Sequence, residues 1–322
     1  MIISQTPFRI SLFGGSTDYE SFYSKYGSFI IGFTIDKYCY LCVRKTPKIF
    51  NYKTKLGYSR IEIINNHKDI KHDGIRGVLK FLNIKYGIEI SHLSDLPSKT
   101  GMGSSSAFVV GLLNALHSIQ HEPCTKQDLA KEAIYVERQL LNESGGIQDQ
   151  IWSAYGGFNC IDIKHDGSFE VKPLPVSDSF IENFLKRSVV IYTGNDRNSF
   201  KIAKSYTNDR AKNYQKKIAA IAKEAYRKFE QQDIDSIGQL LDESWQCKKN
   251  ISDLISSDKL DQMYQTLKDD GVIGAKLLGA GGSGFMFGIL DSNVNKKDFK
   301  KKYRTKYVDI NIDTKGSLII NE

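Results

Sequence analysis

The stretch from Leu96 to Leu116 constrains this chain most. Pro97 is followed by Gly101-Met102-Gly103, then by Ser104-Ser105-Ser106-Ala107, and then by an apolar run with helical spacing. Two glycines flanking one residue let the backbone come close to a ligand, and three hydroxyls follow where a helix should begin. The first turn of a helix has backbone N–H groups without intrahelical partners and carries the positive end of the macrodipole, so a phosphate there gains several hydrogen bonds at once. Serines can cap such a turn and can ligate Mg²⁺. The loop is neither of the two commonest phosphate motifs, because no Lys-Ser or Lys-Thr pair follows the second glycine and no third glycine sits where a dinucleotide fold wants it. Taken alone, the same residues also fit a strand-to-helix turn with a Ser N-cap.

The 322 residues, 40% hydrophobic and 25% charged, suffice for one large or two ordinary domains with a proper core. No run approaches the ~18 apolar residues that span a membrane. The N-terminus lacks a basic segment followed by an apolar region and a small-residue cleavage site. The expectation is a soluble protein of the cytoplasm with no membrane partner. Five cysteines (Cys39, Cys42, Cys124, Cys160 and Cys247) form an odd, scattered set, unlike a disulfide framework. Cys39 and Cys42 have CxxC spacing but lie in a strand-like run, where positions i and i+3 face opposite sides. His117 and His121 have the spacing to share a helix face, yet Pro123 follows closely and the pair reads as lacking a nearby Cys or acidic ligand, so no zinc site is expected.

A net charge of +8 points to anionic partners, either nucleic acid or phosphorylated small molecules. Much of the excess is in the tail, where Lys296, Lys297, Lys300, Lys301, Lys302, Arg304 and Lys306 interleave with Phe299, Tyr303 and Tyr307. The apolar members recur at helical spacing and no nucleic-acid motif accompanies them, so the tail reads as a solvated basic helix face and no nucleic-acid partner is expected.

Along the chain, Ile2 to Phe13 alternates and reads as a strand ending at Gly14-Gly15. Phe29 to Val43 and Ile61 to Ile64 add strands, a helix is expected over Gly74 to Tyr86, and Gly87 to His92 reads as the strand feeding the glycine loop. Thr125 and Asp128 look like an N-terminal cap, with Leu129, Ala133, Val136 and Leu140 marking the buried stripe of the helix that follows. Glu137 falls on the apolar side of that helix. A carboxylate there is costly unless paired or metal-bound, and either a salt bridge to Arg138 or Lys131, a solvated edge position or a metal satisfies the pattern. Ser144-Gly145-Gly146-Ile147-Gln148-Asp149-Gln150 then delivers Asp149 before an apolar segment, as a general base or as an N-cap. A hairpin is expected around Asp166-Gly167. The Pro- and Ser-rich segment Pro173 to Ser179 is the best candidate boundary, dividing the chain into residues 1–180 and 181–322. A strand over Ser188 to Tyr192 follows, then one or two charged helices over Asn198 to Gln232 and another from Asp233 to about Lys249. Gly271 to Leu290 reads strand, glycine turn, strand. Four glycines among the six residues Gly279 to Gly284 indicate close backbone approach to a ligand or another domain.

Three segments together are more specific than any one of them. Pro7-Phe8-Arg9-Ile10-Ser11-Leu12-Phe13-Gly14-Gly15-Ser16-Thr17-Asp18-Tyr19, Leu96 to Ala107, and Lys276 to Gly284 resemble, in order and spacing, the three motifs of the GHMP kinases. This superfamily includes galactokinase, homoserine kinase, mevalonate kinase and phosphomevalonate kinase. Gly15-Ser16 stands where galactokinase has Glu-His, which argues against galactose. Gly14-Gly15 before Thr17-Asp18, Tyr192-Thr193-Gly194 followed by Arg197, and Gly274 to Gly282 look more like the D-glycero-D-manno-heptose 7-phosphate kinases, and bacterial fucokinases share part of the pattern.

The resemblance implies an α+β fold of two domains, the first like ribosomal protein S5 domain 2 and the second ferredoxin-like, with the active site between them. It implies ATP and Mg²⁺. Gly101, Met102, Gly103, Ser104, Ser105 and Ser106 would hold the ATP phosphates, Ser104 or Ser105 would ligate Mg²⁺ with Glu137, and Asp149 would take the proton of an anomeric hydroxyl. Arg9 would orient Asp149 or stabilise the transferring phosphoryl group. Asp18, with Gly15, Ser16 and Thr17, would meet the sugar, and Gly281 and Gly282 would close the cleft. Arg197, then Lys276, is nominated for the sugar's own phosphate. The function implied is phosphorylation of the anomeric carbon of a heptose 7-phosphate. A kinase for an unphosphorylated sugar such as fucose, or a sugar- and ATP-binding regulator, is the alternative. Oligomeric state is not encoded in these motifs.

Overall fold

Residues Ile2–Phe13 form β1, and its side chains are buried on both faces from Thr6 onward, because strands flank it and helices cover the sheet. The computed structural model describes residues 1–98, 100–122, 124–194 and 209–321. β2 (Ser28–Lys45) pairs antiparallel with β1 from Ile31 to Val43, broken by a bulge where Tyr38 faces Pro7 and Ile35 faces Phe8. The skipped residues bend the strand. Its first half then pairs with β6 (Phe158–Ile163) and its second half with β5 (Ile88–Ser94). β3 (Thr54–Gly57), β4 (Ile61–Ile64), β7 (Phe169–Pro173) and β11 (Leu318–Asn321) complete an eight-stranded sheet. β11 pairs with β1, so the last residues of the chain return to the first sheet.

The second sheet has the order β8 (Ser188–Gly194), β10 (Gly284–Leu290), β9 (Val272–Leu277) among the described residues, all antiparallel. An isolated bridge from Ile191 to Tyr307 lies on the far side of β8. A fourth strand of a ferredoxin-like layer would occupy that edge.

Among the described residues the α-helices are α1 (Glu20–Tyr26), α2 (Asp73–Phe81), α3 (Ser104–Gln120), α4 (Lys126–Tyr135), α5 (Gln148–Tyr155), α6 (Asp178–Arg187), α7 (Asp209–Glu230), α8 (Ile234–Lys249), α9 (Asp258–Asp269) and α10 (Lys296–Lys302). α3 lies against β1 and β2 and buries Ala107, Val110, Leu113 and Leu116. α8 lies on β9. An aromatic cluster joins the two sheets: Phe33 of β2 and Phe287 of β10 have ring centroids 6.0 Å apart, and Phe184 of α6 touches both.

The strand and hairpin expectations match. The helix expected to reach Tyr86 stops at Phe81, because Asn83 takes a left-handed φ of 51° that ends it. The apolar stripe over 129–140 is one α-helix followed by a π-helical turn over Val136–Leu140. α1, α6, α9, β3 and β11 are not anticipated from the sequence. Ser177, inside the segment read as a linker, caps α6 by accepting from Phe180 N. The first part of the expected helix over 198–232 lies outside the described residues. In the basic tail, Lys300 pairs with Asp309 and Lys302 with Asp270, which fits a solvated face.

Candidate active site

The glycine loop sits where β1, α3 and the second sheet meet, on a cleft of about 1280 Å³. Gly103, at φ 77°, is the N-cap of α3 in place of a serine, and Ser104, Ser105 and Ser106 of the first turn line the cleft. A Cβ on Gly101 would lie 2.4 Å from Leu278 O, and one on Gly284 would lie 2.1 Å from Thr100 O. The two glycine-rich segments therefore touch backbone to backbone, and side chains at those positions would force them apart. This is the reason for glycine at 101 and 284.

Under the loop, Arg9 and Asp149 form a two-point fork. Arg9 Nε donates to Asp149 Oδ1 at 2.8 Å, and its terminal nitrogen donates to Oδ2 at 2.7 Å. The other terminal nitrogen donates to Gly101 O, so one guanidinium fixes both the carboxylate and the loop. Arg9 is almost wholly buried, whereas the Asp149 side chain is 27% exposed and opens to the cleft. Gly103 leaves only van der Waals space above the pair, its Cβ position falling 3.6 Å from Asp149 Oδ2.

Asp18 is buried on the floor of the cleft and accepts from Ser16 N and Gln148 N, both at 3.2 Å. Burial, and then the nearby Asp149 charge, push its carboxyl above the usual range. A Cβ on Gly146 would fall 1.7 Å from Asp18 Oδ2, so the turn before α5 closes over this carboxylate only because residue 146 is glycine.

Glu137 is completely buried in the π-helical turn. Its Oε2 accepts from Ser106 Oγ at 2.9 Å, from an Arg138 nitrogen at 3.1 Å and from Gln150 Nε2, while Oε1 has no hydrogen-bond partner. Burial pushes its pKa up to about 7, against the pull of Arg138. The salt bridge to Arg138 envisaged from the sequence is formed, and the serine that meets Glu137 is Ser106. Ser104 is half-buried and Ser105 exposed, and both line the cleft. The donor set, a carboxylate with a spare oxygen beside hydroxyls, suits a hard cation such as Mg²⁺.

Lys276 of β9 reaches across to donate to Leu12 O at 2.7 Å. Burial, and then the Arg9 charge, lower its pKa to about 7. Lys248, at the end of α8, donates to Leu277 O at 2.9 Å and to Gly279 O, holding the third glycine segment. Lys248, Arg138 and Gln148 also line the cleft and were missed as site residues. Lys248 does extend the apolar stripe Ile237, Leu241, Trp245 of α8, which is the signal that marks it.

Among the sequence-derived candidates, Gly15, Ser16, Asp18, Lys276, Gly101, Gly103 and the three serines line the cleft with Arg9, Glu137 and Asp149. Thr17 is turned inward: its hydroxyl donates to Gly14 O at 2.6 Å. Met102 is buried, with its carbonyl accepting from Arg9 N at 3.1 Å. Gly281 packs on Ile255, and Gly282 N donates to Ile255 O, so both shape the segment from behind. Arg197 lies outside the described residues.

The family model of the GHMP kinases N terminal domain matches residues 73–157, which carry the glycine loop, Glu137 and Asp149, and that of the GHMP kinases C terminal matches residues 222–309. A D-glycero-alpha-D-manno-heptose 7-phosphate kinase from Campylobacter jejuni is 30% identical over 306 residues, covering 90% of this chain and 89% of that protein. The chain is a GHMP kinase. Within that family, a galactokinase from Pyrococcus furiosus is 25% identical over 92% of this chain and 90% of its own length. The fold of this GHMP kinase is shared by a crystal structure of a D-glycero-D-manno-heptose 1-phosphate kinase from Bacteriodes thetaiotaomicron, at TM-score 0.82 and 20% identity, covering 100% of this chain and 99% of that one. GHMP kinases use ATP as phosphate donor.

Proposed function

We propose that this kinase transfers the γ-phosphoryl group of ATP to the anomeric hydroxyl of D-glycero-D-manno-heptose 7-phosphate, giving the 1,7-bisphosphate. The observation that carries the mechanism is the fork of Arg9 on Asp149, open to the cleft directly beneath the glycine loop. The name of the 30% identical relative supports the substrate. In this reading Asp149 accepts the proton of the anomeric hydroxyl, and Arg9 keeps the carboxylate aimed while its charge faces the phosphates. Asp18 accepts from a sugar hydroxyl. The backbone of 101–106 receives the phosphates at the start of α3.

Glu137 and the serines of the loop would hold Mg²⁺, which supplies charge neutralisation between the phosphates. Lys276 serves the sugar's own phosphate or the transferring group, and Arg197 remains the first candidate for the former. The two domains are taken as residues 1–180 and 181–322, and the enzyme as cytoplasmic, feeding nucleotide-activated heptose to surface polysaccharide.

The test is ADP release with Mg-ATP against D-glycero-D-manno-heptose 7-phosphate, sedoheptulose 7-phosphate, mannose 6-phosphate, galactose, fucose and no sugar, with phosphorus NMR of the product. Turnover confined to the manno-heptose phosphate, with a new anomeric phosphate, is expected. Preference for fucose or galactose would keep the mechanism and discard the substrate, and no turnover with any sugar would favour a binding protein. Asp149→Asn should lower kcat by about two to four orders of magnitude while ATP still binds. Undiminished turnover in that variant removes the base assignment.

A further inference from the structure

His117, in the last turn of α3, does not pair with His121. α3 ends at Gln120, and His121 takes a left-handed φ of 60° that turns the chain back. The return brings Cys124 and Glu132 of α4 to His117, where an imidazole nitrogen, a thiol sulfur and a carboxylate oxygen all lie within 4.8 Å of one another. His117 Nε2 is 2.7 Å from Glu132 Oε2. Its other ring nitrogen, Nδ1, is buried without a hydrogen-bond partner and lies 4.0 Å from the Glu122 carboxylate.

We infer that His117, Cys124 and Glu132 form a site for a zinc ion, at the opposite end of α3 from the glycine loop. The donor set of imidazole, thiolate and carboxylate is one that Zn²⁺ accepts at ~2.0 to 2.3 Å with tetrahedral geometry. Two such nitrogen and oxygen ligands stand roughly 3.3 Å apart around a tetrahedral ion, so the pair at 2.7 Å need open only by side-chain rotation. On binding, the ion would be held by Nε2, the Glu132 oxygen and the sulfur; the proton that Nε2 shares with Glu132 would give way, leaving the imidazole proton on Nδ1, and the thiol proton would leave to solvent. Nδ1 then carries the imidazole proton toward Glu122, as carboxylates support metal-bound histidines elsewhere. Hydrogen bonds hold the chain on either side of Cys124. Glu122 N donates to His117 O at 3.0 Å, and Thr125 caps α4 by accepting from Asp128 N at 3.1 Å. The site would tie the end of α3 to α4, with water completing the coordination.

The test uses the full chain, stripped of metal and titrated with Co²⁺ and Zn²⁺, and requires no kinase assay. One Co²⁺ per chain is expected, with a sulfur-to-cobalt charge-transfer band that Zn²⁺ displaces. Cys124→Ser should abolish the band, and Glu132→Gln should weaken Zn²⁺ binding by at least about tenfold. His121→Ala should change neither. Zn²⁺ should also raise the melting temperature of the wild type, by mass action on the folded state, and not that of Cys124→Ser. Circular dichroism confirms that each variant is folded. A band that survives Cys124→Ser, equal Zn²⁺ affinity in Glu132→Gln, or less than one ion per chain at saturation overturns the site.

Discussion

Glu137 is the residue on which burial acts most plainly. A carboxyl with no exposure, one oxygen hydrogen-bonded and the other free, holds its proton up to about pH 7. A divalent cation and that proton compete for the same oxygen, so cation binding releases the proton. Below about pH 7, therefore, Mn²⁺ affinity measured with ATP present should fall by up to about tenfold per pH unit, and above it the affinity should level off. Glu137→Gln should bind weakly at every pH and lose the slope. Isothermal titration across pH 5.5 to 8.5, roughly one and a half units either side of the midpoint, measures both. A slope unchanged in the Gln variant would place the titrating group elsewhere. At this scale the sequence is informative wherever chemistry is concentrated in a short segment: Arg9 and Asp149 are legible because each sits in a motif. Lys248 is marked only as a lysine that continues the apolar stripe of α8; its partners, the carbonyls of Leu277 and Gly279, are revealed by no local pattern.

Elements are placed by periodicity and stopped by backbone conformations that periodicity does not register. β1, β2 and the hairpin around Asp166-Gly167 follow from alternation and turn chemistry. The end of α2 depends on a left-handed Asn83; α9, by contrast, does carry the periodic signal, with Leu260, Met263, Tyr264 and Leu267 at helical spacing behind the Ser257 cap. Packing between elements is legible only through glycine. Gly274 of β9 lies under α8, and a Cβ there would meet Gly238 O at 1.9 Å. Because the contact is with helix backbone, no rotamer change relieves it, and α8 must rise from the sheet. Gly274→Ala should cost at least about 1 to 3 kcal/mol in urea unfolding, the usual range for an overpacked core. Because α8 carries Lys248, the same variant should raise KM for ATP. Wild-type stability in the variant would mean that helix and strand are less closely held than this contact implies.

For the whole molecule, the question is what keeps two sheets in one register across an open cleft. The aromatic cluster of Phe33, Phe184 and Phe287 does so without direction, and Lys276 does so with it, spanning from β9 to the carbonyl of Leu12 on β1. Its ammonium is buried beside Arg9, and its pKa falls to about 7, far below that of the unfolded chain. Between about pH 7 and 10 the unfolded state therefore binds a proton that the folded state lacks, so this group adds stability as pH rises through that window. Below about pH 7 it is charged in both states and its burial cost is felt in full. Lys276→Met removes the charge and keeps most of the volume. Its melting temperature relative to wild type should be highest near pH 6, about one unit below the midpoint, and the difference should shrink toward pH 9 to 10, roughly where the wild-type lysine is neutral when folded. Bound nucleotide brings negative charge to the cleft and should stabilise the charged lysine, so ATP should raise the wild-type melting temperature more than that of the Met variant at pH 6 to 7, about where the group titrates. Melting curves of both proteins with and without ATP, across that pH range, decide it. An equal ATP shift in the two would show that Lys276 joins the sheets without sensing what lies between them.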